Sequence, residues 1–176
     1  MDSFRLSFKL FIQQPAEIDF DSLVPVFHSW IQTHAIPDHL LIDVANYAHV
    51  HDGPGIVLIS HEANYSVDKR GGRPGLTYQR KQLIEGDFSK RIQAACRATL
   101  AAASLLTDRF KFDTGTIEFR ICDRLNAPNA AGTFNTVKAD LLRAFPGAKL
   151  EHQPSDQQLF TVLIHLSQPI TIPPKP

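Results

Sequence analysis

The side chains of this chain that could do chemistry fall into three stretches. The first is Tyr47-Ala48-His49-Val50-His51-Asp52 followed by His61-Glu62-Ala63-Asn64-Tyr65, the densest group among eight histidines. Imidazole and carboxylate together suit zinc, iron, nickel or copper, so His49, His51 and His61 are the candidate metal ligands. Their spacing works against them. Pairing two strands about the intervening Asp52-Gly53-Pro54-Gly55 turn places His61 near Asn46 and leaves His49 roughly 10 Å along the partner strand. A bulge or longer loop around residues 48 to 55 would be needed to gather all three. His61-Glu62 begins like HExxH, but residue 65 is Tyr and the segment reads as strand, which excludes that metalloprotease motif. An acid–base role for Glu62, or for His61 oriented by Asp43 or Asp123, is the enzymatic expectation. The plainer alternative places Glu62 and Asn64 on the polar face of a strand.

The second stretch, DKRGGRPG, sets Lys69, Arg70 and Arg73 among glycines. Backbone N–H groups and cationic side chains there could surround a phosphate or carboxylate. It is not a P-loop, because it opens a strand and lacks GxxxxGK[ST]. Arg80 and Tyr78 just downstream could extend an anion-binding surface, and a flexible solvated hairpin tip is the plain alternative. The third stretch joins a strand to a helix through Asp123, Arg124, Asn126 and Asn129. Such a connector can hold an anion at the helix N-terminus, or its side chains can simply brace the loop and cap the helix. Ser60, Ser66 and Ser104 have no nucleophile elbow, and Cys96 and Cys122 have no accompanying motif, so covalent catalysis is unsupported.

Elements able to position these groups follow from periodicity. Leu6, Phe8, Leu10 and Ile12 alternate with Ser7 and Lys9, the period of a half-buried strand. Leu23, Phe27, Trp30, Ile31 and His34 recur at helical steps, with Asp19 or Asp21 as the cap and Pro25 tolerable near the first turn. Leu40 to Val50, Ile56 to Val67 and Leu76 to Gln82 read as a three-stranded meander, the last suited by mixed polarity to a position near the sheet edge. Phe88, Ile92, Ala95, Thr99, Ala102 and Leu106 define the clearest helix. Ile117, Phe119 and Ile121 make a strand, Phe134, Val137, Leu141 and Phe145 a helix closed by Gly147, and Leu159 to Leu166 a final strand. The expected order, β-α-β-β-β-α-β-α-β-β, is an α+β fold: a mainly antiparallel sheet with about three helices packed on it, and room for a ferredoxin-like split β-α-β. Residues 1–168 form one domain and 169–176 a Pro-rich extended tail.

Composition narrows the class of function. The chain is 43% hydrophobic and 20% charged, with 12 Phe, so it can bury a sizeable core. Its 18 basic and 18 acidic residues cancel, which disfavours nucleic acid as a partner and confines any anion site to a local patch. No segment approaches the roughly 18 apolar residues of a membrane span, and the N-terminus alternates rather than forming a signal-length apolar run. A cytoplasmic location with both cysteines reduced is expected.

The blocks IDVANYAHVHDGPG, ISHEANYSVD, GRPGLTYQRK and ICDRLNAPN resemble, in this order, those of an uncharacterised family of bacterial proteins of about this length. The resemblance spans roughly residues 4 to 166 and implies that the blocks belong to one domain. It implies no activity, cofactor or catalytic residue. The leading expectation is therefore a small anionic ligand-binding domain or enzyme, its polar site drawn from His49, His61, Glu62, Arg73, Arg80, Asp123, Arg124 and Asn126, with Asn64 as a further ligand contact. Arg80 or Arg124 would be the clamp, and His61 or Glu62 the proton acceptor. A homodimer or other assembly module built through a sheet face or edge strand is the alternative, and metal binding through His49, His51 and His61 the second.

Overall fold

The structure, a computed structural model, describes residues 5–13 and 17–175. Eight strands and three helices alternate along it: β1 (Leu6–Ile12), α1 (Leu23–Thr33), β2 (Leu41–Tyr47), β3 (Gly55–Ser60), β4 (Ala63–Asp68), β5 (Gly75–Arg80), α2 (Phe88–Ser104), β6 (Phe112–Ile121), α3 (Ala131–Ala144), β7 (Lys149–His152) and β8 (Phe160–His165). The strands form one sheet in the order β2-β3-β4-β5-β1-β6-β8-β7, and every neighbouring pair is antiparallel. This is the α+β class expected from the periodicity. Both β5 and β6 pair with β1, so they run parallel to each other on either side of it and are joined by α2, a split β-α-β connection. β6 and β7 flank β8 in the same way and are joined by α3.

Two readings of the sequence are corrected. Ile56 to Val67 is not one strand: it turns back at Ser60–Ala63, giving β3 and β4. The buried Ser60 hydroxyl explains the break, because it donates to the Ala63 carbonyl (2.6 Å) and accepts from the Ala63 N–H (3.0 Å), satisfying the turn locally. Second, β5 lies inside the sheet between β4 and β1, not near an edge. Its mixed polarity reflects two sheet faces of different character, with Leu76 and Tyr78 facing the core and Thr77 and Gln79 the other side.

One continuous cluster of apolar side chains joins the helices to one face of the sheet. The alternating Leu6, Phe8 and Leu10 of β1, Tyr65 and Val67 of β4, Phe119 of β6 and Val162 of β8 are at most 2% exposed. Each such side chain removed from water stabilises the fold by about 1.5–3 kcal/mol. α2 comes close to the sheet because Ala95, Ala102 and Ala103 are small and fully buried, and Asp87 caps it by accepting from the Lys90 N–H at 2.8 Å. Phe8 meets Phe119 at 5.2 Å and Phe145, just past α3, at 6.1 Å, tying that helix down. The Pro-rich C-terminal segment lies against the sheet and helices: the Ile170 N–H donates to the Thr114 carbonyl, and Ile170 and Ile172 pack on the core. Among the described residues no helix is long and apolar enough to cross a membrane.

Candidate functional site

With the helices on one face, the opposite face carries the polar half of each strand's alternation. Strand register arranges these side chains in rows. Ser66, Thr77, Lys9, Glu118 and Leu163 stand side by side across β4, β5, β1, β6 and β8. Asn64, Gln79, Ser7, Arg120 and Thr161 form the next row.

The floor is charged and yet out of solvent. Lys9 is 3% exposed, Asp68 1% and Glu118 8%. Lys9 Nζ donates to Asp68 Oδ1 at 2.6 Å, and the same carboxylate accepts from Thr77 Oγ1 (2.7 Å) and from the Arg70 N–H (2.9 Å). Burial pulls the Lys9 ammonium below its ordinary range, opposed by Asp68 and by Glu118. Gly75 makes the pair possible. A Cβ there would lie 2.6 Å from Lys9 Cε and 2.5 Å from the Leu10 carbonyl oxygen, so only glycine leaves a path for the lysine. Arg120 Nε sits 2.8 Å from Glu118 Oε1, but its N–H is not aimed at that oxygen, so the contact is ionic and not a directed hydrogen bond.

Above this floor lies a groove of about 570 Å³ bordered by Arg70, Arg73, Arg120 and Arg124. A neighbouring hollow of about 370 Å³, with Ser7, Asn64, Thr77 and Gln79 on its walls, shares Arg70 and Arg120 with it. The three outer arginines have no carboxylate partner among the described residues. Arg70 Nε donates to the Asp52 carbonyl (3.4 Å), Arg73 lies 3.5 Å over the Phe11 ring, and Arg124 donates to the Gln157 carbonyl. These contacts hold the side chains in place and leave their charge available. Asp52 and Glu118 are the carboxylates in the groove lining.

The residues nominated from sequence do not form one site. Arg73 and Arg124 border the groove and Asn64 the adjoining hollow, where its buried Oδ1 has no hydrogen-bond partner among the described residues. Asp123 and Asn126 brace their own loop, with the Asp123 carboxylate accepting from the Asn126 N–H (3.1 Å) and Nδ2 (2.9 Å). Those bonds hold the Asp123 carboxyl below the usual carboxylate range. His61 is exposed in the β3–β4 turn, its N–H on the Leu40 carbonyl, at the far end of the hairpin from His49 and His51. The expected register had placed it beside Asn46; the hairpin instead pivots about residues 48–54, pairing Tyr47 with Gly55 and Asn46 with Ile56, which carries His61 to the Leu40 end of β2. Among the described residues no group of three or more His, Cys, Asp or Glu could hold a metal ion.

Glu62 and Arg80 belong to a different cluster. Glu62 Oε2 accepts from the Leu40 N–H at 2.9 Å. Partial burial opposes its ionisation, but backbone hydrogen bonds and the nearby His39 and His61 together hold its carboxyl below the ordinary range. Arg80 Nε donates to the Gln82 carbonyl (2.8 Å), and its Nη1 reaches His39 Nε2 at 3.3 Å. His39 in turn bonds through Nδ1 to the hydroxyl of Tyr65, and its ring stacks on Tyr78. Sequence reading did not single out Lys9, Asp68, Glu118, Arg120, His39 or Tyr65 as site residues. No protein-family model matches the chain, and no curated protein matches it in sequence.

Proposed function

We propose that this protein binds a small anion, a carboxylate or phosphate, in the groove on the helix-free face of the sheet. One observation carries the reading: the guanidinium groups of Arg70, Arg73 and Arg124 converge on one groove without a carboxylate partner among the described residues. A guanidinium presents a planar fork of donors that matches a carboxylate or phosphate oxygen pair. Below it the floor is internally neutral, since Lys9 answers Asp68 and Arg120 answers Glu118, so the outer arginines set the sign of the field. A polar, charged face also argues against burial of this surface in a dimer, for which an apolar face would be expected.

Binding fits better than turnover. His61, Glu62 and Asp123, the candidate acid–base residues, do not line the groove. Cys122, on the wall of the adjoining hollow, has its thiol pushed up to about 11 by burial, so it offers no thiolate nucleophile at neutral pH. The two free cysteines fit a cytoplasmic protein.

The test is calorimetric titration with inorganic phosphate and with citrate, at two salt concentrations, of the wild type, the double variant R73A/R124A, and R97A as a control on exposed α2 surface. Saturable binding that R73A/R124A weakens by roughly tenfold or more, and that R97A leaves unchanged, is expected, because a hydrogen bond to a charged group is worth about 1.5–3 kcal/mol. Absence of saturable binding of either probe, or equal affinities in all three proteins, would overturn the reading.

A further inference from the structure

On the helix side of the sheet, between the α1–β2 connector, α2 and residues 173–174, lies a cavity of about 320 Å³. Its walls are chiefly apolar, with Ile36, Ala101, Leu105 and Pro173 among them; among the described residues Asp38 is the one formally charged group of the lining, and His39 and Tyr65 stand together in it. Proton positions in this pair follow from what each group can donate. A guanidinium has donors and no acceptor, so the approach of Arg80 Nη1 requires His39 Nε2 to be the accepting, unprotonated nitrogen. Burial lowers the His39 pKa and keeps the ring neutral, so its single proton is on Nδ1, pointing to the Tyr65 oxygen. Tyr65 therefore accepts from His39, and its own O–H proton has no acceptor among the described residues, although the side chain is fully buried. Buried hydroxyl protons are seldom left unmatched.

We propose that this cavity is a second binding site, for a small, mainly hydrocarbon molecule carrying one carbonyl oxygen, which accepts the Tyr65 O–H while the apolar walls hold the remainder. The Arg80–His39–Tyr65 chain aligns three dipoles toward the cavity and polarises the hydroxyl as a donor. Nothing in this site uses the groove arginines, so it stands or falls separately from anion binding. Arg80 acts here through His39 as a positioning residue and not as a clamp on the ligand.

The experiment pairs two probes of similar size, acetophenone and ethylbenzene, which differ in the carbonyl oxygen. Each is titrated into the full chain and into Tyr65→Phe while amide resonances of Ala98, Ala101 and Leu105 are followed by NMR. Acetophenone is expected to bind saturably and to lose roughly fivefold to tenfold in affinity in Tyr65→Phe, with ethylbenzene changing less than about twofold. Failure of acetophenone to shift those amides, or equal losses for both probes, would reject the site. A long-range nitrogen–proton correlation on the wild type reports the His39 tautomer without any substitution. Protonation at Nδ1 supports the relay, and protonation at Nε2 overturns it.

Discussion

The groove and the His39–Tyr65 cavity lie on opposite faces of one sheet and handle buried polarity in opposite ways. In the groove, formal charges are matched on the floor and unmatched at the rim, where Arg70, Arg73 and Arg124 face the opening. In the cavity the relay keeps its charge back: Arg80 stands behind His39 and a neutral hydroxyl is what the pair presents, Asp38 being the one formally charged group of the lining among the described residues. Burial sets this division. A charge withdrawn from water needs a partner, whereas a neutral donor can wait for one at smaller cost. The first site suits a ligand that brings its own charge, the second a ligand that brings an acceptor on an apolar body.

The largest difference between the two should appear on removing a buried partner. Asp68→Ala deprives Lys9 of its counter-ion and Thr77 and the Arg70 N–H of their acceptor. A loss of about 3–5 kcal/mol in urea-unfolding stability is expected, against about 1 kcal/mol for Tyr65→Phe in the cavity. The double change Lys9→Met with Asp68→Leu should recover most of the loss, since it removes both charges together. A loss below about 1 kcal/mol for Asp68→Ala would mean that the ion pair does not hold the floor and that the two sites are alike in their cost.

Gly75→Ala sharpens the same contrast at lower cost, because it leaves both charges in place and only obstructs the lysine's path. The added methyl would meet the Leu10 carbonyl oxygen and Lys9 Cε at 2.5 and 2.6 Å. A loss of about 1–3 kcal/mol is expected from such overpacking, together with weaker phosphate binding but unaltered acetophenone binding. Equal weakening of both ligands would show that the faces are mechanically coupled.

How much of this could be seen in the sequence differs between the two sites for a physical reason. Alternation in Leu6–Ile12 and in Ile117–Ile121 revealed strands and their apolar face, and the helical stripe from Phe88 to Leu106 is buried as its spacing implied. The α+β class followed from those periods. The same alternation made Lys9, Glu118 and Arg120 look like ordinary solvent-facing polar positions, because nothing in a single strand tells which strands will flank it. Only the register that sets Lys9 between Thr77 and Glu118 shows that they share a floor. Arg73 and Arg124 were legible as cations on loops rich in turn residues, where side chains commonly converge. His39 was not, since its partners Tyr65 and Arg80 come from two strands that pair only after the chain turns at Ser60–Ala63. Reading Ile56 to Val67 as one strand hid that turn and with it the relay, while centring the preceding hairpin on Asp52–Gly55 and not on residues 48–54 misplaced His61.

The finest test of the contrast is the dependence of stability on pH. Burial lowers the pKa of His39, and also that of His152, which stacks on Phe134 and meets Asn129 Oδ1 at 2.8 Å. In the unfolded chain both imidazoles titrate near about 6.5. As pH falls below that value the unfolded state takes up protons that the folded state resists, so stability is full above about pH 6.5 and declines as pH falls toward the lowered folded values. The slope from one site cannot exceed about 1.4 kcal/mol per pH unit. His39→Gln should therefore flatten the wild-type decline between roughly pH 6.5 and 5 in urea-unfolding midpoints, leaving the part due to His152. It should also abolish the preference for acetophenone over ethylbenzene while sparing phosphate binding in the groove. An undiminished slope in His39→Gln would mean that the ring is not held neutral in the folded protein. Both ring nitrogens would then carry protons, Nε2 could not accept from Arg80, and the relay would be broken.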